Sequence, residues 1–530
     1  MKIILTSCRF AGAVLLIGFA VGSFAQNPKP NIVLIMVDDM GYSDLGCYGS
    51  EISTPNLDKL AAGGVKFTQF YNAARCCPSR ASLLTGVYPQ QAGMGGMVTT
   101  KPDHSRETPY QGWLSRETVT VAEVLKSAGY RTYMSGKWHV GEERPDWPLQ
   151  RGFDKFFGLI SGANSYYRLL PGRLILEDND PYEIPENFYF TDAISDYAVR
   201  YIDDATKHAK KDPFFMYVAY TAPHWPIHAP DDEIAKYRGK YLKGWDQLRK
   251  DRYAQQQKMG LLPKSAVLTD RDERIPAWEN AANKDDWDLK MAAYAGMVTR
   301  MDAGIGRIVD KLEAGGQLDN TLIMFLSDNG ACAEVLTGRA KRDLEPEAYE
   351  RSLTTPTGQE GSYDAYGMEW ASLGNTPFRL YKQYTHEGGI ATPLIVHYPK
   401  LIKKAIQTDQ IGHIMDIMPT CLEVAGAEHP AAFDGRKIKP MEGKSLWPIL
   451  QGKTRQPHDF IAWEHFGSRA VRQGDWKLVS SRIGDQWELY NMAKDRSETN
   501  DLAAAMPEKM KEMLALYEVW AEKVGVKDPQ

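Results

Sequence analysis

The chain has 530 residues, too many for a single small domain, and its composition (43% hydrophobic, 11% aromatic, 25% charged) is that of a globular protein. Its formal net charge is only −5 at pH 7, without a long basic or acidic run. We therefore exclude a nucleic-acid partner, because neutralising phosphates requires clustered lysine and arginine. A chain of this length can bury a large core, and one large domain with a smaller partner is the simplest expectation.

The N-terminus has the pattern of an export signal. Lys2 and Arg9 form a short basic region, the run 11–21 is apolar, and Ser23-Phe24-Ala25 resembles a cleavage site. We predict that residues 1–25 are a signal peptide and that the mature protein is periplasmic or secreted, with no transmembrane segment after signal removal. An uncleaved anchor is the alternative, although the run is shorter than the roughly 20 residues of a spanning helix.

Strand-like apolar runs alternate with helix-like segments in the first two thirds of the chain. Each run ends in polar residues: 31–37 before Asp38-Asp39, 130–135 before Lys137 and His139, 214–220 before His224, and 321–326 before Asp328-Asn329. The segments 119–128 and 291–312 have helical periodicity. This alternation predicts an α/β fold with a large, mostly parallel central sheet flanked by helices. The polar groups then converge beyond the carboxyl ends of the strands.

The C-terminal part has a different pattern. Short, turn-separated runs at 460–463, 469–472, 476–479 and 487–490 predict a small antiparallel sheet, and 507–524 predicts a helix. We place a large domain at 26–425 and a smaller α+β subdomain at 426–530. The polar stretches at about 231–286 and 336–374 are interpreted as surface insertions; the first is either a rim of a substrate cleft or a plain solvated excursion.

One motif carries most of the chemical information. The segment Cys76-Cys77-Pro78-Ser79-Arg80, continued by Ala-Ser-Leu-Leu-Thr-Gly86, resembles the sulfatase signature, whose Cys-x-Pro-x-Arg core directs oxidation of cysteine to formylglycine. Only Cys76 has proline two residues on and arginine four residues on. Pro78 suits the first turn of a helix, which places Cys76 at the helix N-terminus, where anions are favoured. An unmodified Cys76 acting as a low-pKa thiol is the nearby alternative.

A metal site is predicted next to this motif. Asp38, Asp39, Asp328 and Asn329 are hard oxygen ligands at two strand ends, and they suit Ca²⁺ or Mg²⁺ rather than zinc. Their segments resemble the two metal-binding blocks of sulfatases. That resemblance implies calcium, with magnesium less favoured, and adds position 76 to the ligands.

The remaining blocks also resemble the family, over roughly residues 29–502, and look closest to bacterial arylsulfatases of the alkaline phosphatase superfamily. Lys137 and His139 are two apart and are expected on one side of an extended segment; His224 lies between prolines, and Lys382 precedes Glu387-Gly388-Gly389. The resemblance makes the large domain catalytic and implies a role for each residue. In these roles, Asp328 takes up a proton, and Lys137, His224 and Lys382 bind the sulfuryl group. His224 or Lys382 protonates the leaving group. His139 assists the elimination of sulfate, and Arg80 supports the formylglycine diol.

The predicted function is therefore hydrolysis of sulfate esters, arylsulfatase-type and with a sulfated carbohydrate as a candidate natural substrate. It requires a formylglycine-generating maturation enzyme as a partner. Two alternatives stay open: a phosphonate monoester or phosphodiester hydrolase of the same superfamily, and a sulfated-glycan-binding protein with an unmodified cysteine. The aromatic residues near the motifs either line the bottom of a substrate pocket or pack in the core; they are Trp138, Trp147, Trp225 and Tyr381.

Overall fold

The computed structural model describes residues 29–105, 107–208, 212–482 and 485–527. The predicted signal peptide at 1–25 lies outside these residues, and export stays a prediction. Among the helices of the described part, none is long and apolar enough to cross a membrane.

The strands, in chain order, are β1 (Asn31–Val37), β2 (Val65–Tyr71), β3 (Arg131–Gly136), β4 (Lys155–Leu159), β5 (Ile175–Glu177), β6 (Asp180–Pro181), β7 (Phe214–Ala219), β8 (Thr321–Ser327), β9 (Ala391–His397), β10 (Ile406–Thr408), β11 (Gly412–His413), β12 (Ala432–Phe433), β13 (Arg436–Lys437), β14 (Ile461–His465), β15 (Ser468–Gln473), β16 (Trp476–Ser480) and β17 (Glu488–Asn491).

The α-helices are α1 (Pro55–Ala62), α2 (Cys76–Thr85), α3 (Val121–Ser127), α4 (Phe190–His208), α5 (Asp231–Ala235), α6 (Trp245–Lys258), α7 (Lys284–Ala314), α8 (Thr337–Asp343), α9 (Pro346–Ser352), α10 (Gly367–Gly374), α11 (Glu387–Ile390), α12 (Ile417–Ala425), α13 (Trp447–Leu450) and α14 (Pro507–Val524).

The central sheet has the strand order β10-β2-β9-β8-β1-β7-β3-β4-β5-β6, and β11 also pairs with β2. Its middle strands β8, β1, β7 and β3 are neighbours and run parallel, so their carboxyl ends meet at one edge. Strand β9 runs antiparallel to β8, and β2 runs antiparallel to β9. The prediction of a mostly parallel sheet is therefore confirmed.

Helices cover both faces of this sheet, which is why its middle strands are almost entirely buried and mostly apolar. Along β1, Val33 and Ile35 belong to the core that contains residues of α4 and α7, whereas Leu34 and Met36 belong to the core of α2, α3 and α12. The predicted helix 291–312 is confirmed but begins earlier, at Lys284. Its first turn is polar and exposed, and it therefore lacked the apolar periodicity on which the prediction depended.

The smaller sheet is antiparallel, in the order β14-β15-β16-β17, and confirms the four short strands predicted after residue 460. Helix α14 has the predicted bounds and buries Met513, Tyr517, Trp520 and Val524.

The two polar stretches contain helices held by buried aromatic side chains. Trp245 of α6 and Trp370 of α10 are almost fully buried and meet edge to face, with ring centroids 5.4 Å apart. This contact joins the two stretches to each other, and both tryptophans also contact Trp287 of α7.

Candidate active site

The candidate site lies at the edge where the parallel middle strands end. The amide of Asp38 donates to the Ala222 carbonyl at 3.1 Å, and that of Asp328 donates to the Val37 carbonyl at 3.0 Å, so the strand ends are tied together. Six predicted residues follow these ends: Asp38 and Asp39 after β1, Lys137 after β3, His224 in the loop after β7, and Asp328 and Asn329 after β8.

A buried charge cluster surrounds Asp38. The Lys137 ammonium contacts the Asp38 carboxylate, and Arg80 Nη2 lies 2.8 Å from Asp328 and 3.6 Å from Asp38. Burial acts to raise the pKa of Asp38, but Lys137 and the other nearby cations outweigh it and hold that pKa below its ordinary value. Burial and the Asp38 charge instead raise the pKa of Asp328 well above its ordinary value. The two carboxylates are therefore held together by two cations, Arg80 and Lys137.

A second cluster surrounds Asp39. Lys382 Nζ lies 2.7 Å from Asp39 Oδ1, and Asn329 Nδ2 donates to the same oxygen at 2.7 Å. His224 Nε2 lies 3.4 Å from Asp39 Oδ2. Asp39 has a left-handed backbone, with φ of 68°, and its amide donates to Asp328 Oδ1 at 3.2 Å. A non-glycine residue held in this conformation is typical of functional sites.

The residues present fit an oxygen-ligated divalent cation. Asp38 Oδ1 and Asn329 Oδ1 are buried and have no hydrogen-bond partner among the described residues. Buried oxygens are rarely left unsatisfied, so a ligand for these two atoms is expected. Candidate ligand atoms of Asp38, Asp39 and His224 also lie within 4.8 Å of one another. Carboxylate and amide oxygens are the donors that calcium and magnesium prefer.

The structure distinguishes the two adjacent thiols. Cys76 is the first residue of α2, and both Cys76 and Cys77 are buried. A hydrogen bond from Cys77 lowers the pKa of Cys76 well below its ordinary value, with help from the Lys137 charge and against the effect of burial. Burial raises the pKa of Cys77. Position 76 is thus the one that favours a negative charge, as a helix N-terminus does.

His139 lies on the thiol side of the site. Its Nε2 is 3.4 Å from Cys77 Sγ, its Nδ1 has no hydrogen-bond partner in the described part of the chain, and burial lowers its pKa to about 4. The expectation that Lys137 and His139 share one side of an extended segment is wrong, because His139 is left-handed with φ of 58°. The turn directs Lys137 to Asp38 and His139 to the thiols.

The predicted residues therefore occupy two groups joined at position 76. One contains the carboxylates, their cations and His224, and the other contains the thiols and His139. The contacts link nine predicted residues around the carboxylates and Cys76 through hydrogen bonds, ion pairs or charge effects: Asp38, Asp39, Cys76, Arg80, Lys137, His224, Asp328, Asn329 and Lys382. His139 joins them only through the thiols and charge effects.

Aromatic side chains near the motifs do not all face the site. Trp138 is fully buried, donates from Nε1 to the Asp146 carbonyl at 2.9 Å and packs edge-on against Phe153, so it belongs to the core. Trp225 instead lies against the His224 ring, with centroids 4.5 Å apart.

Three polar side chains beside the site were missed by sequence reasoning. Arg75 Nη2 lies 3.0 Å from Glu334 Oε1. His465, at the end of β14, has a buried Nε2 without a partner in the described residues, and burial together with the Arg75 charge lowers its pKa to about 3. The position of Arg75 directly before Cys76 is a usable signal. Glu334 and His465 lie in segments without a motif.

Comparisons with known proteins agree with this geometry. The family model described as Sulfatase matches residues 30–427, and the model described as N-sulphoglucosamine sulphohydrolase, C-terminal, matches residues 378–518. An uncharacterised sulfatase of Schizosaccharomyces pombe is 36% identical over an alignment of 530 positions, which covers 95% of each chain. The arylsulfatase of Klebsiella aerogenes is 32% identical over 458 residues, covering 84% of this chain and 97% of that protein.

Among solved structures, the crystal structure of Ps i-CgsB in complex with k-i-k-neocarrahexaose has a TM-score of 0.68 and 26% identity, and 93% of each chain is covered. The family model spans most of the chain, including every predicted site residue. The chain therefore belongs to the sulfatase family and is a sulfuric ester hydrolase.

Proposed function

We propose that this enzyme hydrolyses sulfate esters through a formylglycine made from Cys76 and a calcium ion held by Asp38, Asp39, Asp328 and Asn329. The observation that carries the proposal is the placement of position 76 at the start of α2, beside a buried carboxylate cluster with two unpartnered oxygens. Both groups fit the donors present: hard oxygens for calcium, and a cysteine in the register of the signature for formylglycine.

When present, the hydrated formylglycine supplies a nucleophilic hydroxyl, and the calcium ion supplies positive charge that acidifies this hydroxyl and attracts the sulfuryl oxygens. Arg80 orients Asp328 through its 2.8 Å contact. Asp328 is fully buried next to Asp38 and Arg80, where its carboxylate can accept a proton from the nucleophile. Lys137 adds positive charge beside Asp38 and position 76.

The leaving alcohol is assigned to the side of the site that contains His224 and Lys382. Both side chains lie beside Asp39, at 3.4 Å and 2.7 Å, and can donate a hydrogen bond or a proton to a departing oxygen. His139 faces the thiol side instead, where it can remove a proton from the second hydroxyl of the hydrate. This division gives each histidine a different step.

A sulfated carbohydrate is the substrate class that we favour. The proposal is supported by the likeness to Ps i-CgsB, which was crystallised with k-i-k-neocarrahexaose. The arylsulfatase relative supports small aryl sulfates as convenient test substrates.

The test is expression with a formylglycine-generating enzyme and calcium, followed by hydrolysis of an aryl sulfate, the matching phosphate monoester and a phosphodiester. Peptide mass spectrometry measures how much of position 76 carries the aldehyde, and Cys76→Ala is the control. We expect the sulfate rate to dominate, to scale with the aldehyde fraction and to vanish in the control.

Two outcomes would contradict the proposal. A dominant phosphate or diester rate would favour the phosphonate monoester or phosphodiester hydrolase reading. Full activity without the aldehyde would favour a plain thiol at Cys76. Neither result would change the fold.

A further inference from the structure

Glu334 is a carboxylate, 15% exposed, that connects three loops of the site. Its Oε1 lies 3.0 Å from Arg75 Nη2 and accepts a hydrogen bond from Gln383 Nε2 at 3.1 Å. Its Oε2 accepts a hydrogen bond from Trp225 Nε1 at 2.9 Å. Each partner is the sequence neighbour of a proposed catalytic residue: Arg75 precedes Cys76, Trp225 follows His224, and Gln383 follows Lys382.

Arg75 is only partly satisfied by this contact. The residue is 9% exposed, and its Nε and Nη1 have no hydrogen-bond partner in the described part of the chain. Guanidinium N–H groups are strong donors, and leaving them buried and unpaired is costly. Within the described residues no acceptor pairs with these groups, so a bound ligand can supply one.

The surroundings of Arg75 place it on the leaving-group side. Its partner Glu334 holds the neighbours of His224 and Lys382, the two residues around Asp39. The inner cations Arg80 and Lys137 are instead occupied by Asp328 and Asp38. Arg75 thus has two nitrogen atoms without a partner among the described residues, on the side of the site that contains His224 and Lys382.

We infer that Arg75 is a specificity-determining residue that binds an oxygen substituent on the carbon next to the sulfated carbon, and that Glu334 is its positioning residue. The inference rests on the proposed function, since it names the substrate group that this site selects. A guanidinium donates well to hydroxyl, alkoxide or carboxylate oxygens, and none of these occurs on an unsubstituted aryl sulfate. A secondary sulfate on a sugar ring carries such a vicinal oxygen.

The position of Arg75 limits how far the recognised oxygen can lie from the sulfate ester. It starts from the residue directly before Cys76, and its Nη2 is fixed by Glu334. Its free donors can therefore reach atoms close to the ester oxygen. Recognition of a distant sugar unit would need other loops.

The kinetic test compares 4-nitrophenyl sulfate with 4-nitrocatechol 1-sulfate (2-hydroxy-4-nitrophenyl sulfate), which carries one additional hydroxyl on the carbon next to the ester carbon. Arg75→Met should lower the ratio of kcat/KM for nitrocatechol sulfate over nitrophenyl sulfate by about 10-fold to 100-fold, the range for a charged hydrogen bond. The loss should be mainly in KM, because the contact is made in the bound substrate as well as in the transition state. Equal losses on both substrates would overturn the inference.

A binding test needs no turnover. In the Cys76→Ala background, isothermal titration calorimetry measures the Kd of each sulfate ester with and without Arg75→Met. We expect the added change to weaken nitrocatechol sulfate at least 10-fold more than nitrophenyl sulfate. Failure of either ester to bind, or equal weakening of both, would reject the inference. If wild-type protein hydrolyses neither ester but the binding difference is present, the proposed function fails and the recognition role stands.

Variants of Glu334 test the positioning role. Glu334→Gln keeps a side chain of the same size but removes the ion pair to Arg75, and it should shift the substrate ratio in the same direction as Arg75→Met, by a smaller factor. In the double variant, Glu334→Gln should add no further shift to that caused by Arg75→Met. Arg307→Met is the charge-matched control, since Arg307 pairs with Asp196 on the half-exposed surface of α7 and α4. The Arg307→Met control should leave the ratio of kcat/KM values unchanged. If the Arg75 and Glu334 variants shift this ratio independently and additively, the positioning role of Glu334 is rejected.

Discussion

Asp39 combines a left-handed backbone conformation with polar and charged partners on both its carboxylate and its amide. Its φ of 68° requires support from its surroundings, which Lys382, Asn329 and Asp328 provide through its carboxylate and its amide. Asparagine tolerates the left-handed region nearly as well as aspartate. A substitution of Asp39 by asparagine therefore tests its charge with little change in backbone preference.

We predict that calcium raises the melting temperature of the wild-type protein and that Asp39→Asn removes most of this increase. A ligand that binds only the folded state stabilises by about 2.7 kcal/mol at 100 times its Kd. Losing one carboxylate ligand should weaken binding, so the increase at fixed calcium should shrink. Differential scanning fluorimetry with and without calcium measures it, and a parallel magnesium series compares the two ions.

Asp434 offers a matched control for this measurement. It is also left-handed, with φ of 49°, but its side chain is 82% exposed and lies beside Arg436. Asp434→Asn should keep the full calcium increase. An undiminished increase in Asp39→Asn would remove that residue from the calcium ligands.

The signature helix α2 shows what a sequence can predict at the level of an element. Pro78 in its first turn, Cys76 at its start and the apolar strand before Asp38 are local patterns, and the structure has each where the pattern places it. Glu334 and His465 could not be predicted in this way. Their importance comes from contacts with residues far away in sequence, which no periodicity or spacing encodes.

Helix α14 allows a prediction about an element that contributes no proposed site residue. Trp520 is 1% exposed and packs edge-on against Tyr88, with ring centroids 5.3 Å apart. Trp520→Ala should cost about 3–5 kcal/mol of stability, the usual range for removing a buried tryptophan. Below the melting temperature, kcat/KM should change little. Val519→Ala, on the exposed side of the same helix, is the control and should change neither quantity. Lost activity without lost stability would instead connect α14 to the site.

At the scale of the whole molecule, Glu387 joins the central sheet to the smaller one. Its carboxylate accepts a hydrogen bond from Tyr71 at the end of β2, at 3.0 Å. It also lies 3.0 Å from Lys477 of β16 and 3.2 Å from Arg496. These groups are almost fully buried, so the two sheets meet through a charge cluster beside the loop that carries Lys382.

Acid should weaken this connection between the two sheets. Burial acts to raise the pKa of Glu387, but Lys477 and the two nearby arginines outweigh it and lower that pKa to about 2. The pKa of a glutamate in the unfolded chain is about 4.3. Because the folded pKa is the lower one, the stabilisation is fully present above about 4.3 and is lost as the pH falls towards 2.

We therefore predict that Glu387→Gln lowers stability at pH 7 by about 3 kcal/mol and flattens the fall in stability between pH 5 and pH 3. The loss should not exceed this value much, because Glu498 still pairs with Lys477 at 2.7 Å. The fall in stability between pH 5 and pH 3 should not disappear in this variant, because Glu488 contributes to it as well. His386 and Arg379 lower the pKa of Glu488 to about 2, against the effect of burial. Urea unfolding at several pH values measures both effects. Glu508→Gln, at an exposed pair on α14, should reproduce the wild-type curve. A Glu387→Gln protein whose stability falls as steeply with acid as the wild type would show that the charge cluster does not control acid unfolding.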